Sequence, residues 1–452
     1  MDIRLSCMTW LHILYDQLRQ TFTPKHRISS LLFNDRSFLD DSSICHNSLS
    51  SNDPCDDPRD NISSLHENSL FLLPDDIIIN IFSRLDAECV FQCSRVCRSL
   101  SVILSSPYFN FVHCSRATPS LIVHCLGWQP KHDESGVDGN TIIHYVDVVS
   151  GNIVELRMKI KSRNVWPNIE YMPFLVGSYN GLLLFRNLSD VDSVSFLWNP
   201  VTQEQVTVIA PKVDYHVCGF FLNSQTGEFR VLYMRYNLPI SQCLILSLRT
   251  NLLREVSFCS LFPCTRRPPV ILNRKLHWIV RKDLSNPRCH SSSLCSKLIL
   301  VFKIDSEVFS TIPHPQIENC TYGRHRRMHL LEMEGRLCVC DVTSATDLDL
   351  WVLQEKKVWI KMHKISTKSV APEGMQREDA LYTQPYLEAL CIQNNELLLK
   401  CLSWKLYYYN LKQKTFRAIN TGYFGWACLS SVVVHSNSIA SPHADEIIIL
   451  SG

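Results

Sequence analysis

Few residues in this chain have the type and spacing that chemistry requires. His277 stands between Leu276 and Trp278 in an apolar run, where a strand histidine is a core or edge residue rather than a general base. Gly177-Ser178-Tyr179-Asn180-Gly181 carries its serine in the second place and is followed by no helical pattern, so it reads as a hairpin turn and not as a nucleophile elbow. There is no C-x-x-C pair. Cys338 and Cys340, two apart in a strand-like run, are expected to face opposite ways and so not to share a metal. Cys89, Cys93 and Cys97 lie four apart, as small buried residues on one helix face do. Arg324, Arg326 and Arg327 read as a solvated loop. No glycine loop suited to phosphate, no metal-ligand spacing and no paired carboxylates appear. The expectation is a chain with no catalytic residue, cofactor or metal.

Composition bounds the remaining classes. The chain has 452 residues, 46% of them hydrophobic and 19% charged, as in ordinary globular proteins. Its net charge of +2, with cations spread along the chain, leaves no nucleic-acid footprint. Twenty cysteines over this length form no regular framework and read as reduced thiols. Residues 1–33 place Leu5, Trp10, Leu11, Leu14, Leu18 and Phe22 at helical spacing, interrupted by His12, Asp16 and Arg19. That pattern predicts an amphipathic leader helix rather than a secretory signal, and no run approaches a membrane span. No membrane partner is expected, and the expected location is the cytoplasm, the nucleus or both.

The elements that must position any function follow. Residues 34–69 are rich in Ser, Asp and Asn, too poor in apolar residues for a core, and read as a flexible linker. Within 70–113, Pro74 suits the first position of a helix and Asp75 and Asp76 suit its positive end. Ile77, Ile81 and Leu85 repeat every four residues with Ile78 and Phe82 beside them, a face wider than one neighbour can cover. Asp86 caps a second helix through Val90, Cys93 and Val96, and a third through Leu100, Ile103 and Leu104 stops near Ser106-Pro107. Three short helices in about forty residues make a poor isolated core, which points to a partner.

This segment resembles the F-box, by which substrate-recognition subunits attach to the Skp-type adaptor of cullin-based ubiquitin ligases. The resemblance rests on Leu73-Pro74-Asp75-Asp76, the Ile77/Ile81 spacing, Ser83-Arg84-Leu85, Cys93, Val96-Cys97-Arg98 and Ser106-Pro107-x-Phe109. It departs from the family at Leu100, where Trp is usual, losing area and an indole donor. The resemblance implies adaptor contacts from Leu73, Pro74, Ile77, Ile81, Leu85, Val90, Val96 and Leu100. Each larger aliphatic among them would contribute about 1.5–3 kcal/mol when fully buried.

Beyond Phe111 the pattern changes to short β-branched and aromatic runs separated by Asn, Gly, Pro and Ser turns. An apolar strand, a short polar turn and a second strand recur from His144, Phe196, Leu244, Leu300, Leu350 and Leu406, at steps of 52, 48, 56, 50 and 56 residues. A further hairpin starts at Phe220. A period near fifty predicts a kelch-like β-propeller of about six blades, closed by the runs Leu121–Leu126 and Ser431–Val434. A two-sheet sandwich with long insertions does not explain the period. Trp198-Asn199-Pro200 suits a tight turn, with Trp198 packed between blades.

Residues 119–435 also resemble the F-box-associated domain of plant F-box proteins. The resemblance rests on the 177–183 turn, Leu197-Trp198-Asn199-Pro200-Val201-Thr202, Leu276-His277-Trp278, Gly335-Arg336-Leu337-Cys338 and Asp349-Leu350-Trp351-Val352. Residues 436–452 form a C-terminal segment. The two resemblances together imply a mostly β protein with a small N-terminal helical module. It would be a non-catalytic receptor that docks an adaptor, and through it cullin, and holds an unidentified target protein. Two alternatives stay open here: an F-box interaction protein outside a working ligase, and a propeller enzyme with a small-molecule site in its channel.

Overall fold

The computed structural model describes residues 73–442, apart from 127–139, 147–152, 160–172, 188–193, 210–214, 224, 236–241, 258–259, 265–266, 284–292, 344–346, 371–386, 402–404 and 420–427, and also residues 447–449. The expected leader helix and linker lie outside these residues. The described chain opens with α1 (Asp75–Phe82), α2 (Ala87–Ser94), α3 (Arg98–Leu104) and α4 (Pro107–Arg116). Asp86 caps α2 by accepting from the Cys89 amide at 2.8 Å. The Ser106-Pro107 pair, expected only to stop the third helix, also starts a fourth. Ser106 Oγ accepts from the Phe109 amide at 3.2 Å and Pro107 occupies the first turn.

The rest of the described chain folds into six antiparallel sheets, the blades of one propeller. Blade 1 holds β1 (Ser120–Leu126), β2 (Asn140–Val146) and β3 (Ile153–Lys159). Blade 2 runs through β4 (Pro173–Tyr179), β5 (Leu182–Asn187), β6 (Val194–Trp198) and β7 (Gln205–Ile209), and blade 3 through β8 (Tyr215–Asn223), β9 (Glu228–Arg235), β10 (Gln242–Ser247) and β11 (Leu253–Val256). In blade 4 the short strands β12 (Leu261–Pro263) and β13 (Val270–Leu272) both pair with β14 (Lys275–Asp283), followed by β15 (Leu298–Lys303) and β16 (Val308–Pro313). Blade 5 comprises β17 (Met328–Met333), β18 (Arg336–Val342), β19 (Asp347–Leu353) and β20 (Trp359–Ser366), and blade 6 comprises β21 (Leu387–Gln393), β22 (Glu396–Cys401), β23 (Lys405–Asn410) and β24 (Thr415–Ile419).

The fifty-residue repeat is the third and fourth strand of each blade, and the hairpin at Phe220 is the first pair of blade 3. The ring closes where β25 (Cys428–His435) joins blade 1, pairing with β1 from Ser120↔His435 to Leu126↔Cys428. Closure therefore uses the two runs expected from the sequence. Beyond β25 the C-terminal segment gains a strand, β26 (Ile447–Ile449), whose isoleucine run suits a strand but does not announce its partner, and it pairs parallel with β7.

Burial follows the ring. Six apolar clusters each draw on two adjacent blades, and each works as a wedge between sheets. Trp198 sits in the wedge of blades 1 and 2, and Trp278 in that of blades 3 and 4, where its indole donates to Cys218 O at 3.1 Å. At the β4–β5 turn, Asn180 and Gly181 both have positive φ, 49° and 83°. A Cβ on Gly181 would meet Ser438, so only glycine fits that corner.

Candidate functional site

The helical module has a seventh cluster of its own, built on Ile78, Phe82, Val90, Cys93, Leu100, Leu104 and Phe109. Val90 and Leu100, expected at the adaptor contact, lie inside it with 0% and 5% of their surface exposed. In this structure both support the module's exposed face from beneath, and neither side chain reaches the surface. Leu73, Ile81 and Leu85 are half-buried against the same cluster, and Pro74 is exposed. Ile77 and Val96 are open to solvent at 40% and 75%. Val102, Tyr108 and Phe111 are exposed too, so five of the eleven exposed large hydrophobics among the described residues fall in this one small module. The last three were not singled out by the sequence, although their alternation with buried Leu104 and Phe109 was available as a signal.

The module is fixed to the propeller by the segment after β25. Ile439 inserts into the module's cluster, which Val201 also borders, and Asn437 Nδ2 donates to Glu88 Oε1 at 3.4 Å. Asn199, fully buried, donates from Nδ2 to Ser438 O at 3.0 Å and Ala440 O at 2.8 Å. Its Oδ1 accepts from the Val201 and Thr202 amides, which folds the β6–β7 turn. Pro107 of α4 packs on Gly227, where a Cβ would come within 2.6 Å. Burial pushes the Cys114 thiol up to about 11, against a lowering hydrogen bond to Ser438.

These contacts fix which end of the propeller the module covers. Strand order puts the first-to-second and third-to-fourth strand turns of every blade at one end, and the module sits there, on the turns at Asn180, Asn199 and Gly227. The strand ends flanking 282–297, 314–329 and 367–386, the longest intervals in the β region, therefore open on the opposite end.

One described segment reaches into the channel. Segment Arg267-Pro268-Pro269, between β12 and β13, touches the inner strands of four other blades. Pro268 lies against Gly177 and Pro269 against Gly219. Arg267 donates to Met328 O at 3.2 Å and to Glu388 Oε1 at 2.8 Å. Burial opposes ionisation of Glu388, but Arg267 and then Lys400, 3.3 Å away, overcome it and hold the carboxyl down at about 2. These contacts tie the segment to the inner strands and pair the Glu388 carboxylate with two cations.

The other residues flagged by sequence are structural. His277 is buried, its Nδ1 3.1 Å from Val270 O, and burial lowers its pKa. It borders an open groove of about 1000 Å³ between blades 4 and 5, lined also by Lys303, Glu334 and Arg336. The 177–181 segment is a hairpin turn. Cys338 and Cys340 do not face opposite ways: residues two apart in a strand share a face, and both pack in the wedge of blades 5 and 6 while Val339 points into that of blades 4 and 5. Burial raises both thiols. Cys97 lies beyond α2, at the cap of α3, so only Cys89 and Cys93 share a helix. Arg324 is no free cation, since it pairs with buried Asp341 at 2.6 Å. Sequence spacing missed one convergence of ligand-type side chains, Cys295, His314, Cys320 and His325. They come from separate stretches with no recognised spacing. Among the described residues, no helix is long and apolar enough to cross a membrane.

A closed six-bladed propeller with a four-helix module clamped to one end makes a two-part architecture in which each part offers its own surface. Residues 142–436 match the F-box associated beta propeller domain and residues 70–112 match the F-box-like family, and the chain belongs to the F-box proteins that carry this propeller. It is 26% identical over 411 residues to an Arabidopsis thaliana F-box protein, covering 81% of this chain and 91% of that one. A second F-box protein of that plant is 24% identical over 321 residues, covering 66% and 77%, and the F-box protein DOR is 25% identical over 364 residues, covering 77% and 87%.

Proposed function

We propose that the chain is the substrate-recognition subunit of an SCF-type ubiquitin ligase. The helical module docks a Skp-type adaptor, and through it cullin, in the cytoplasm, the nucleus or both. The free end of the propeller holds a target protein. The chain does no chemistry of its own; it raises the local concentration of target lysines around an enzyme that another subunit supplies. The observation that carries this reading is the crowding of exposed apolar side chains on the module, against a propeller whose wedges are sealed.

The docking contacts proposed are Leu73, Pro74, Ile77, Ile81, Leu85 and Val96, with Val90 and Leu100 holding the face in shape. Leu100 being interior, its difference from the usual Trp bears on packing inside the module. The test is capture of purified Skp-type adaptor by wild type and by Ile77→Asp. The variant is expected to lose capture at least tenfold with its melting temperature unchanged, and to lose cullin from affinity purifications. Full capture by Ile77→Asp, Val96→Asp and the double variant would sink the reading.

A further inference from the structure

Four side chains converge at the propeller end away from the helical module. Cys295 precedes β15, His314 directly follows β16, and Cys320 and His325 lie on the connection into β17. One donor atom from each lies within 4.8 Å of all the others. Cys295 Sγ stands 3.2 Å from His314 Nε2, and the Lys297 amide points at the same sulfur from 3.4 Å. His314, Cys320 and His325 are at most 2% exposed.

Both imidazoles are aimed from behind. His314 Nδ1 is 2.5 Å from Pro315 O, and His325 Nδ1 bonds Val280 O. A carbonyl oxygen only accepts, so each Nδ1 carries the proton and each Nε2 turns its lone pair toward the thiols. That is how ligating histidines are held in metalloproteins. His325 Nε2, though buried, has no hydrogen-bond partner. A buried acceptor left bare costs stability unless something occupies the space it faces.

We propose that Cys295, His314, Cys320 and His325 bind a zinc ion that fastens the connection between blades 4 and 5. Two sulfur and two imidazole ligands select zinc over hard cations, and a full set of four protein ligands makes a structural rather than a catalytic site. Tetrahedral zinc with these ligands needs donor atoms roughly 3.3–3.8 Å apart, so the present cluster has only about 1 Å to contract. Binding would displace the two thiol protons to solvent, and the two thiolates would neutralise the metal charge. The nearby Arg324 is already balanced by Asp341. A Cys295–Cys320 disulfide would use only half the cluster and leave both imidazoles aimed at nothing.

Metal analysis of the full-length chain, purified without chelator, is expected to give about one zinc per chain. Cys295→Ser, at the most accessible ligand, should lower that at least tenfold, and chelation should lower the melting temperature of wild type and not of the variant. Cobalt-substituted wild type, which requires no variant to fold, should show tetrahedral bands with thiolate-to-cobalt charge transfer. The proposal is overturned if zinc and cobalt titrations give no stoichiometric binding, if the cobalt spectrum lacks thiolate bands, or if mass spectrometry finds Cys295 and Cys320 joined as a disulfide.

Discussion

The helical module and the propeller solve the burial problem in opposite ways. In the propeller each blade gives one apolar face to each neighbour, and β25 supplies the inner strand that completes blade 1 and closes the ring. The module has four short helices, too few to cover the width that Ile77, Ile78, Ile81 and Phe82 present, so it buries one side and leaves Ile77 and Val96 in water. Exposed apolar surface is costly to keep unless a partner covers it. The two solutions meet at residues 437–440, which the propeller grips through Asn199 and the module through Ile439. The far end of the propeller is thereby held at a fixed distance from the module's exposed face.

Acid should break the propeller side most strongly, beginning at its closure. Blade 1 buries His124, His144 and His435, and burial pushes His124 and His435 down to about 4, His144 adding to the effect on His124. Above pH 6.5 these rings are neutral in both states and folding is unaffected. As pH falls from about 6.5 to 4 the unfolded chain takes protons that the folded chain refuses, so each ring removes about 1.4 kcal/mol of stability per pH unit. In blade 5, His329, lowered to about 3 by burial and then Arg267, acts in the same direction. His435 Nε2–H donates to Asn437 Oδ1 at 3.0 Å and its Nδ1 accepts from Ser178 Oγ at 2.8 Å, a pattern that glutamine reproduces. Unfolding midpoints in urea between pH 7 and 5 should therefore fall steeply for wild type and less steeply for His435→Gln. An equal slope for both would remove His435 from this account.

A smaller effect is expected where the two regions are tied together. Asn199→Ala deletes both donations to the C-terminal segment and leaves two buried carbonyls bare, a loss of about 1–3 kcal/mol. Hydrogen exchange at residues 437–440 should accelerate while the amides of blades 4–6 stay protected. Uniform acceleration across the ring would show that Asn199 supports the propeller as a whole and not its junction with the module.

How much of this was legible in the chain depended on whether the contacts were local. The third-to-fourth strand hairpins were visible because turn residues and strand alternation sit together, as at Asn410, whose side chain accepts from the amides of Lys412 and Gln413. The helices of the module were visible through Pro74, Asp86 and the apolar spacing. Pro107 misled because a proline that ends one helix is equally suited to begin the next. The shared face of Cys338 and Cys340 follows directly from the two-residue strand period. The channel segment, the pairing of β26 and the Cys–His cluster carry no local signature. Each depends on residues brought together only by ring closure, as with Arg267 on β12–β13 reaching Glu388 of blade 6.

The smallest expected effect sharpens the comparison most. The propeller has its own exposed apolar strip, Val358, Ile360 and Met362 on the outer edge of blade 5, at 55%, 47% and 46% exposure, close to that of Ile77. By exposure alone Ile77 and this strip are equivalent. They differ in context, because the flank of β20 carries Lys361 and Lys364, charges that discourage strand pairing, whereas Val96 stands in a module that cannot bury its own width. Val96→Lys and Ile360→Lys should each change stability by no more than about 0.5 kcal/mol, as surface substitutions do. Adaptor capture should be lost only in Val96→Lys. Equal loss in both would place part of the docking face on the propeller and end the division of labour drawn between the two regions.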